Sequence, residues 1–308
     1  MRKISSVMIA LLSGTFLSTS AIADDVDLNY LNNLTGEKIT WSDSEGTAVT
    51  IGEQTFYYTY NKPDDYTETS TRINNSVTAD NVYHKLFNNI TGSSNTGAIA
   101  ITSLSGADIN IESDFINNTA PATSDSAKGG GISAVGNITL GSISGNFIGN
   151  HSQATTGYAL GPAIYLESTS SASVVVDKIS GNFINNSGTT NGNSSHYVHG
   201  GAIDNHGTIN ELEGNFIGNR AYATNAYVLG GAINNGLYNS GGNIGTLSGN
   251  FIGNIAQSTN NYVRGGAIHN SGNIEEMKDA YFINNTASGR EAYGGAIYNS
   301  KSIGNITG

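Results

Sequence analysis

Three histidines, His196, His199 and His206, crowd around one glycine pair, Gly200-Gly201. Imidazole nitrogen is a common ligand for zinc-like ions, so the grouping raises a metal site. Equivalent positions elsewhere point to ordinary surface polarity instead. The place of His199 is taken by Lys128, Leu160, Leu229, Arg264 and Tyr293, and that of His206 by Gly236. No metal or cofactor is therefore expected. Carboxylates offer a second chemistry: Glu211 and Glu213 flank Leu212, and Glu275-Glu276 follow later. On a strand, such an i, i+2 pair lies about 7 Å apart on one face, a separation that sugar-cleaving acid pairs use. Yet Ser142, Lys178 and Thr246 fill the aligned positions, and no loop rich in His, Lys or Arg encloses the pair. The carboxylates read as solvated charge and the chain as a non-enzyme, with a polysaccharide lyase or hydrolase as the alternative.

Tyrosine is the more suggestive column. Tyr158, Tyr197, Tyr227 and Tyr262 each stand three residues before a Gly-Gly-type pair. On successive coils, their rings would fall within aromatic contact. Such a column stabilises the fold, and it also offers a ligand surface for glycans or a partner.

The elements that must position these residues are repeats. Phe-Ile-x-Asn begins at Phe115, Phe147, Phe183, Phe216, Phe251 and Phe282, ending in Asn118, Asn150, Asn186, Asn219, Asn254 and Asn285. A blurred copy begins at Leu86-Phe87. Between them run Gly-Gly-x-Ile units starting at Gly129, Gly161, Gly200, Gly230, Gly265 and Gly294, 29–39 residues apart. That period signals a solenoid, and its Gly, Asn, Ser, Thr and Ile composition favours strands and turns over helices. About three short apolar clusters per repeat are too few for a propeller blade.

Triples such as Leu212-x-Gly214-x-Phe216 and Ile179-x-Gly181-x-Phe183 put their residues on one strand face. Leucine and phenylalanine should fill an interior, with glycine leaving room for the ring. Leu140, Val176, Ile209 and Ile244 sit three residues earlier, which predicts a bend between two faces. The Asn of Phe-Ile-x-Asn should sit at a second bend and form an amide ladder between coils. After Gly-Gly-Ala-Ile comes Ser133, Tyr165, Asp204, Asn234, His269 or Tyr298, a position whose free variation predicts a solvent-facing column. Tyr165 and Tyr298 thereby join the candidate ligand surface. The expected fold is all-β, a single-stranded right-handed parallel β-helix over residues 81–308 with an incomplete last coil. Pro162 in place of the second glycine of its pair asks whether that position needs a positive φ or only a small residue.

Composition narrows the function. The chain has 308 residues, no cysteine, and 24 acidic against 13 basic residues. Residues 1–23 read as a signal peptide: Arg2 and Lys3, the apolar run Val7–Leu17, then Ala21-Ile22-Ala23. Its removal leaves 11 basic against 24 acidic residues, a net charge of −13, which disfavours nucleic acid and anionic membrane surfaces. An exported chain without cysteine fits a second membrane crossing in an unfolded state. Residues 24–80, with Trp41 and Phe56-Tyr57-Tyr58-x-Tyr60, read as an N-terminal cap that hides the first coil.

Alternating copies of GGA[I/L/V] and FxxN over residues 86–308 resemble the passenger domains of the polymorphic outer membrane proteins of Chlamydia and related Gram-negative autotransporters. The resemblance implies a β-helix displayed at the cell surface, often adhesive, delivered through a C-terminal outer-membrane barrel. This sequence ends at Gly308 without barrel-like alternating strands, so that anchor would lie outside it. The expectation is a secreted, surface-displayed adhesin whose partner is a host or neighbouring cell-surface glycan or protein; a non-binding structural stalk is a further alternative.

Overall fold

The computed structural model describes residues 26–27, 47–51, 54–60, 63–93, 95–104, 109–237 and 241–308. The signal-peptide segment and Trp41 lie outside the described residues. The chain divides into two units, Met1–Tyr66 and Thr67–Gly308. In the first, Gln54–Tyr60, which carries the Phe56–Tyr60 cluster, is the middle strand of an antiparallel sheet between Val26–Asp27 and Thr47–Ile51. In the second, Thr67–Thr69 and Ile73–Asn74 already pair in parallel with Tyr83–Asn88 and Ile99–Leu104. The parallel stacking thus begins before residue 81.

The second unit is a parallel β-solenoid of about seven turns. Each complete coil starts with a long strand, such as Val174–Ile184, Thr208–Ile217 or Asn243–Ile252. These long strands are in register along the axis: Ile179 pairs with Leu212 and Leu212 with Leu247, Phe183 with Phe216 and Phe216 with Phe251. The pairing skips Asp177 and Asn210, between Val176 and Lys178 and between Ile209 and Glu211. The long strand bends there, as the three-residue apolar offset requires, and both apolar columns stay inside.

Seven phenylalanines, from Phe87 to Phe282, form one stack along the axis. Adjacent ring centroids lie 4.7–5.0 Å apart with planes within 9° of parallel. The six from Phe87 to Phe251 are fully buried. Full burial of one such side chain stabilises by about 1.5–3 kcal/mol.

The amide ladder runs beside the rings. Asn186 Nδ2 donates to Phe147 O at 2.8 Å and to Asn219 Oδ1 at 3.0 Å. Its Oδ1 accepts from the backbone N–H and the Nδ2 of Asn150, each at 3.0 Å. Both donors and both lone pairs are used, which lets an amide sit at 0% exposure without penalty. The same scheme links Asn118 through Asn285. At this bend the left-handed backbone angle falls one residue before the ladder Asn. Asn117, Gly149, Asn185, Gly218, Gly253 and Asn284 have φ of 52–62°. That position holds only Asn or Gly, the two residues that adopt this region readily; the ladder Asn is free to serve as a buried amide.

One glycine expectation changes and one open question is decided. Gly145, Gly181 and Gly249 adopt φ of 119–139°. A Cβ on Gly181 would lie 1.9 Å from Gly145 O. In the triple, glycine therefore makes room chiefly for the backbone of the coil beside it. In the Gly-Gly pairs it is the first residue that is left-handed, φ 42–75°, and Pro162 occupies the second place without disturbing the register of Ile164 with Ile203. The second glycine is needed for closeness, since a Cβ on Gly201 would meet Gly231 O at 1.9 Å.

The stretch between Asn219 and Gly230 is not a loop. Arg220–Ala223 and Tyr227–Leu229 and their counterparts form two further six-stranded parallel sheets. They enclose a second core of Ala159, Val198, Ala221, Ala223, Ala226, Val228, Ala256 and Val263. Alternation in Arg220-Ala221-Tyr222-Ala223 carries this strand, but its inward residues are too small to stand out as an apolar cluster.

Candidate functional site

Tyr197–His199, Tyr227–Leu229 and Tyr262–Arg264 are short strands whose middle valine points into the second core. Period two then turns the tyrosine and the third residue outward. Tyr158, Tyr197, Tyr227 and Tyr262 stack at 5.9, 5.1 and 5.6 Å and are half-buried. Arg290 lies over the Tyr262 ring at 4.8 Å, and His196 meets Tyr158 edge-on at 5.4 Å. Because the ring faces cover one another, the column offers edges outward, not a flat aromatic platform.

The left-handed first glycine of each pair turns the chain sharply into the next strand. Strands such as Ile203–His206 then lay their outward side chains against the third residues of the tyrosine strands. This overturns the solvent-facing column: Ser133, Tyr165, Asp204, Asn234 and His269 are only 0–3% exposed. Tyr298, in the last complete coil, is half-buried. Tyr165 does not belong to an exposed strip. Lys128 sits over its ring at 5.4 Å and also pairs with Glu167 at 3.3 Å. Tyr298 stacks on His269 at 5.5 Å beneath Arg264.

At the centre of this furrow is Asp204, at 0% exposure. His206 Nε2 lies 2.9 Å from its Oδ1 and His199 Nδ1 3.3 Å from its Oδ2. Asn234 Nδ2 donates to Oδ1 at 2.7 Å, and the Asn234 carbonyl contacts His269 Nδ1 at 2.6 Å. Burial would raise the Asp204 carboxyl, but the charges and hydrogen bonds of His206 and His199 overcome it and hold the group below the usual carboxylate range. Burial likewise pulls His206 down, and Asp204 outweighs it, raising His206 above the ordinary imidazole value. His269 has no such partner: burial, helped by the charges of His199 and Arg264, pushes it down to about 3.

Ligand atoms of His199, Asp204 and His206 all lie within 4.8 Å of one another, and all three residues are buried. His196 stands apart: its Nδ1 accepts from the Asn193 N–H at 3.2 Å. The expectation of ordinary surface polarity for His199 and His206 thus fails on burial. Asp204 was the missed member. Its signal was present, since residues two apart on a strand share a face and Asp204-x-His206 follows the turn after His199.

The carboxylate pair is less open than its spacing suggested. Lys178 Nζ lies 2.9 Å from Glu211 and 3.2 Å from Glu213, one coil away. No protein-family model, no characterised protein sequence and no solved structure matches the chain. Fold and site together define the class: a parallel β-solenoid with a tyrosine column on its flank and a buried polar furrow beside it, an architecture compatible with an autotransporter passenger.

Proposed function

We propose that this chain is an exported, surface-displayed solenoid of the autotransporter-passenger kind that binds a cell-surface glycan and does not catalyse. The tyrosine column carries the reading. Its four ring edges recur every 5.1–5.9 Å along the axis. That repeat is comparable to the length of one pyranose residue. A linear glycan lying along the solenoid would meet one phenolic edge per sugar, each contact weak and the sum an avidity effect. A net charge of −13 without residues 1–23 repels acidic polysaccharides and points to a neutral one. Export rests on the pattern of residues 1–23, and display at the outer membrane on the resemblance of the repeats to autotransporter passengers. A glycan-cleaving reading would need Glu211 and Glu213 to exchange protons freely, whereas Lys178 bridges both.

The test is binding to an array of neutral linear glycans, followed by titration calorimetry with Tyr197→Phe/Tyr227→Phe. This variant keeps the stack and removes two hydroxyls. Each lost hydrogen bond of about 1 kcal/mol should weaken affinity about fivefold, roughly 25-fold together. Unchanged affinity would overturn the role of the ring edges. Absence of any glycan binding by the parent protein would leave the stalk.

A further inference from the structure

We propose that His199, Asp204 and His206 form a binding site for one zinc-class divalent cation per chain. This stands apart from the glycan reading and rests on the furrow alone. Three observations carry it.

The first is charge. Asp204 lies at 0% exposure, and its side-chain partners are His199, His206 and Asn234. A buried carboxylate needs a compensating positive charge. Lys128 pairs with Glu167 and Arg264 lies over Tyr298, so that charge comes from the imidazoles themselves or from a cation that they hold. Two neutral imidazoles and a carboxylate are a zinc donor set, whereas calcium and magnesium take oxygen ligands.

The second is geometry. Zinc–nitrogen and zinc–oxygen bonds of about 2.0–2.2 Å at tetrahedral angles put neighbouring donor atoms about 3.3–3.5 Å apart. The two histidine–aspartate separations are 2.9 and 3.3 Å and all three donor atoms lie within 4.8 Å of one another, so small side-chain shifts would bring them to that spacing around an ion. Asn234 supplies the outer support that metal-bound carboxylates commonly have, donating to Asp204 Oδ1 while its own carbonyl contacts His269. His206, at 9% exposure, is the most open of the three ligands. Its side is where water would complete the coordination.

The third is that the cluster does not satisfy itself. His199 Nε2, the nitrogen turned away from Asp204, is buried without a hydrogen-bond partner, so the ring is held only through Nδ1. Among the described residues the cluster also occurs once. The neighbouring coils carry Leu160 and Leu229 beside His199, and Tyr165 and Asn234 beside Asp204. Repetition of the coil did not generate it.

The experiment loads the whole chain with Zn2+ or Co2+ during refolding, removes free metal by gel filtration, and measures bound metal and the visible cobalt spectrum. One equivalent per chain with tetrahedral d–d bands is expected, together with a higher melting temperature that a chelator abolishes. His199→Leu places in this column the residue that both neighbouring coils carry; its metal-free melting temperature should fall, because Asp204 loses a side-chain partner, but it should no longer rise when Zn2+ is added. It should retain less than about a tenth of an equivalent, in line with the loss of one of three ligands. A parent protein that emerges metal-free overturns the site and leaves a plain imidazolium–carboxylate pair. A His199→Leu protein that still holds a full equivalent overturns it too, placing the metal elsewhere.

Discussion

The interior of the solenoid and the furrow on its flank solve the same problem in opposite ways. Inside, each buried group meets its own kind one coil away: Phe183 lies between Phe147 and Phe216, and Asn186 bonds Asn150 and Asn219. A homotypic column satisfies every member by the same geometry, so it extends from coil to coil. In the furrow each buried residue meets a different kind: Asp204 meets two histidines, His269 meets Asn234, and Tyr165 lies beneath Lys128. Such contacts do not run on from coil to coil: among the described residues the aspartate–histidine cluster stands in one place, and within the furrow the cation-over-tyrosine contact returns only where Arg264 lies over Tyr298. Repetition therefore supplies cohesion, while departure from repetition at a buried position marks where a particular chemistry is held.

Breaking a homotypic column should cost most. Phe216→Ala leaves a ring-sized void between two stacked neighbours and should destabilise the solenoid by about 3–5 kcal/mol in denaturant unfolding. Asn186→Leu strands the donors of Asn150, the carbonyl of Phe147 and the oxygen of Asn219, at about 3 kcal/mol. A loss below about 1 kcal/mol for either would mean that stacking does not carry the fold.

The furrow should reveal itself through pH. His269 is held near 3 in the fold against an ordinary value near 6.5. The unfolded chain therefore takes up the proton first as pH falls. The stability that neutral His269 contributes is present above about 6.5 and lost as pH falls towards about 3, at about 1.4 kcal/mol per pH unit. His269→Asn, which copies Asn234 of the neighbouring coil, should flatten this dependence over that range. An identical slope in the variant would show that the furrow does not shield this position.

The smallest effect separates the two residues that tolerate a left-handed turn from those that do not. Gly218, φ 61°, stands where other coils carry Asn. Gly218→Asn should change stability by less than about 0.5 kcal/mol, and Gly218→Val should cost about 1–2 kcal/mol. Equal costs would contradict the backbone requirement.

These contrasts also explain what could be read in advance. Parallel stacking, the ring column and the asparagine ladder were legible because Phe and Asn recur at fixed offsets, and such recurrence has few structural solutions. The left-handed position before each ladder Asn was equally legible, since Phe-Ile is followed only by Asn or Gly, but its alternation drew less notice than the invariant Asn. Ser133, Tyr165, Asp204, Asn234 and His269 were misread because free variation usually means solvent. Their burial comes from the angle imposed by Gly129, Gly161, Gly200, Gly230 and Gly265, which closes one strand against another. No property of the side chains themselves encodes it. The second core escaped notice because alanine and valine fill it.

The most direct measurement is to excise one coil. Deleting residues 219–253 joins Gly218 to Asn254 and restores Phe-Ile-Gly-Asn, so each column loses one member and keeps its register. If like stacked on like provides the cohesion, the shortened protein keeps its β-sheet circular dichroism and unfolds in one cooperative transition. Its denaturant dependence should fall by about one-seventh, in proportion to the surface removed. A shortened chain that is unfolded, or that melts without cooperativity, would show that the coils are not interchangeable and that something other than repetition holds the solenoid together.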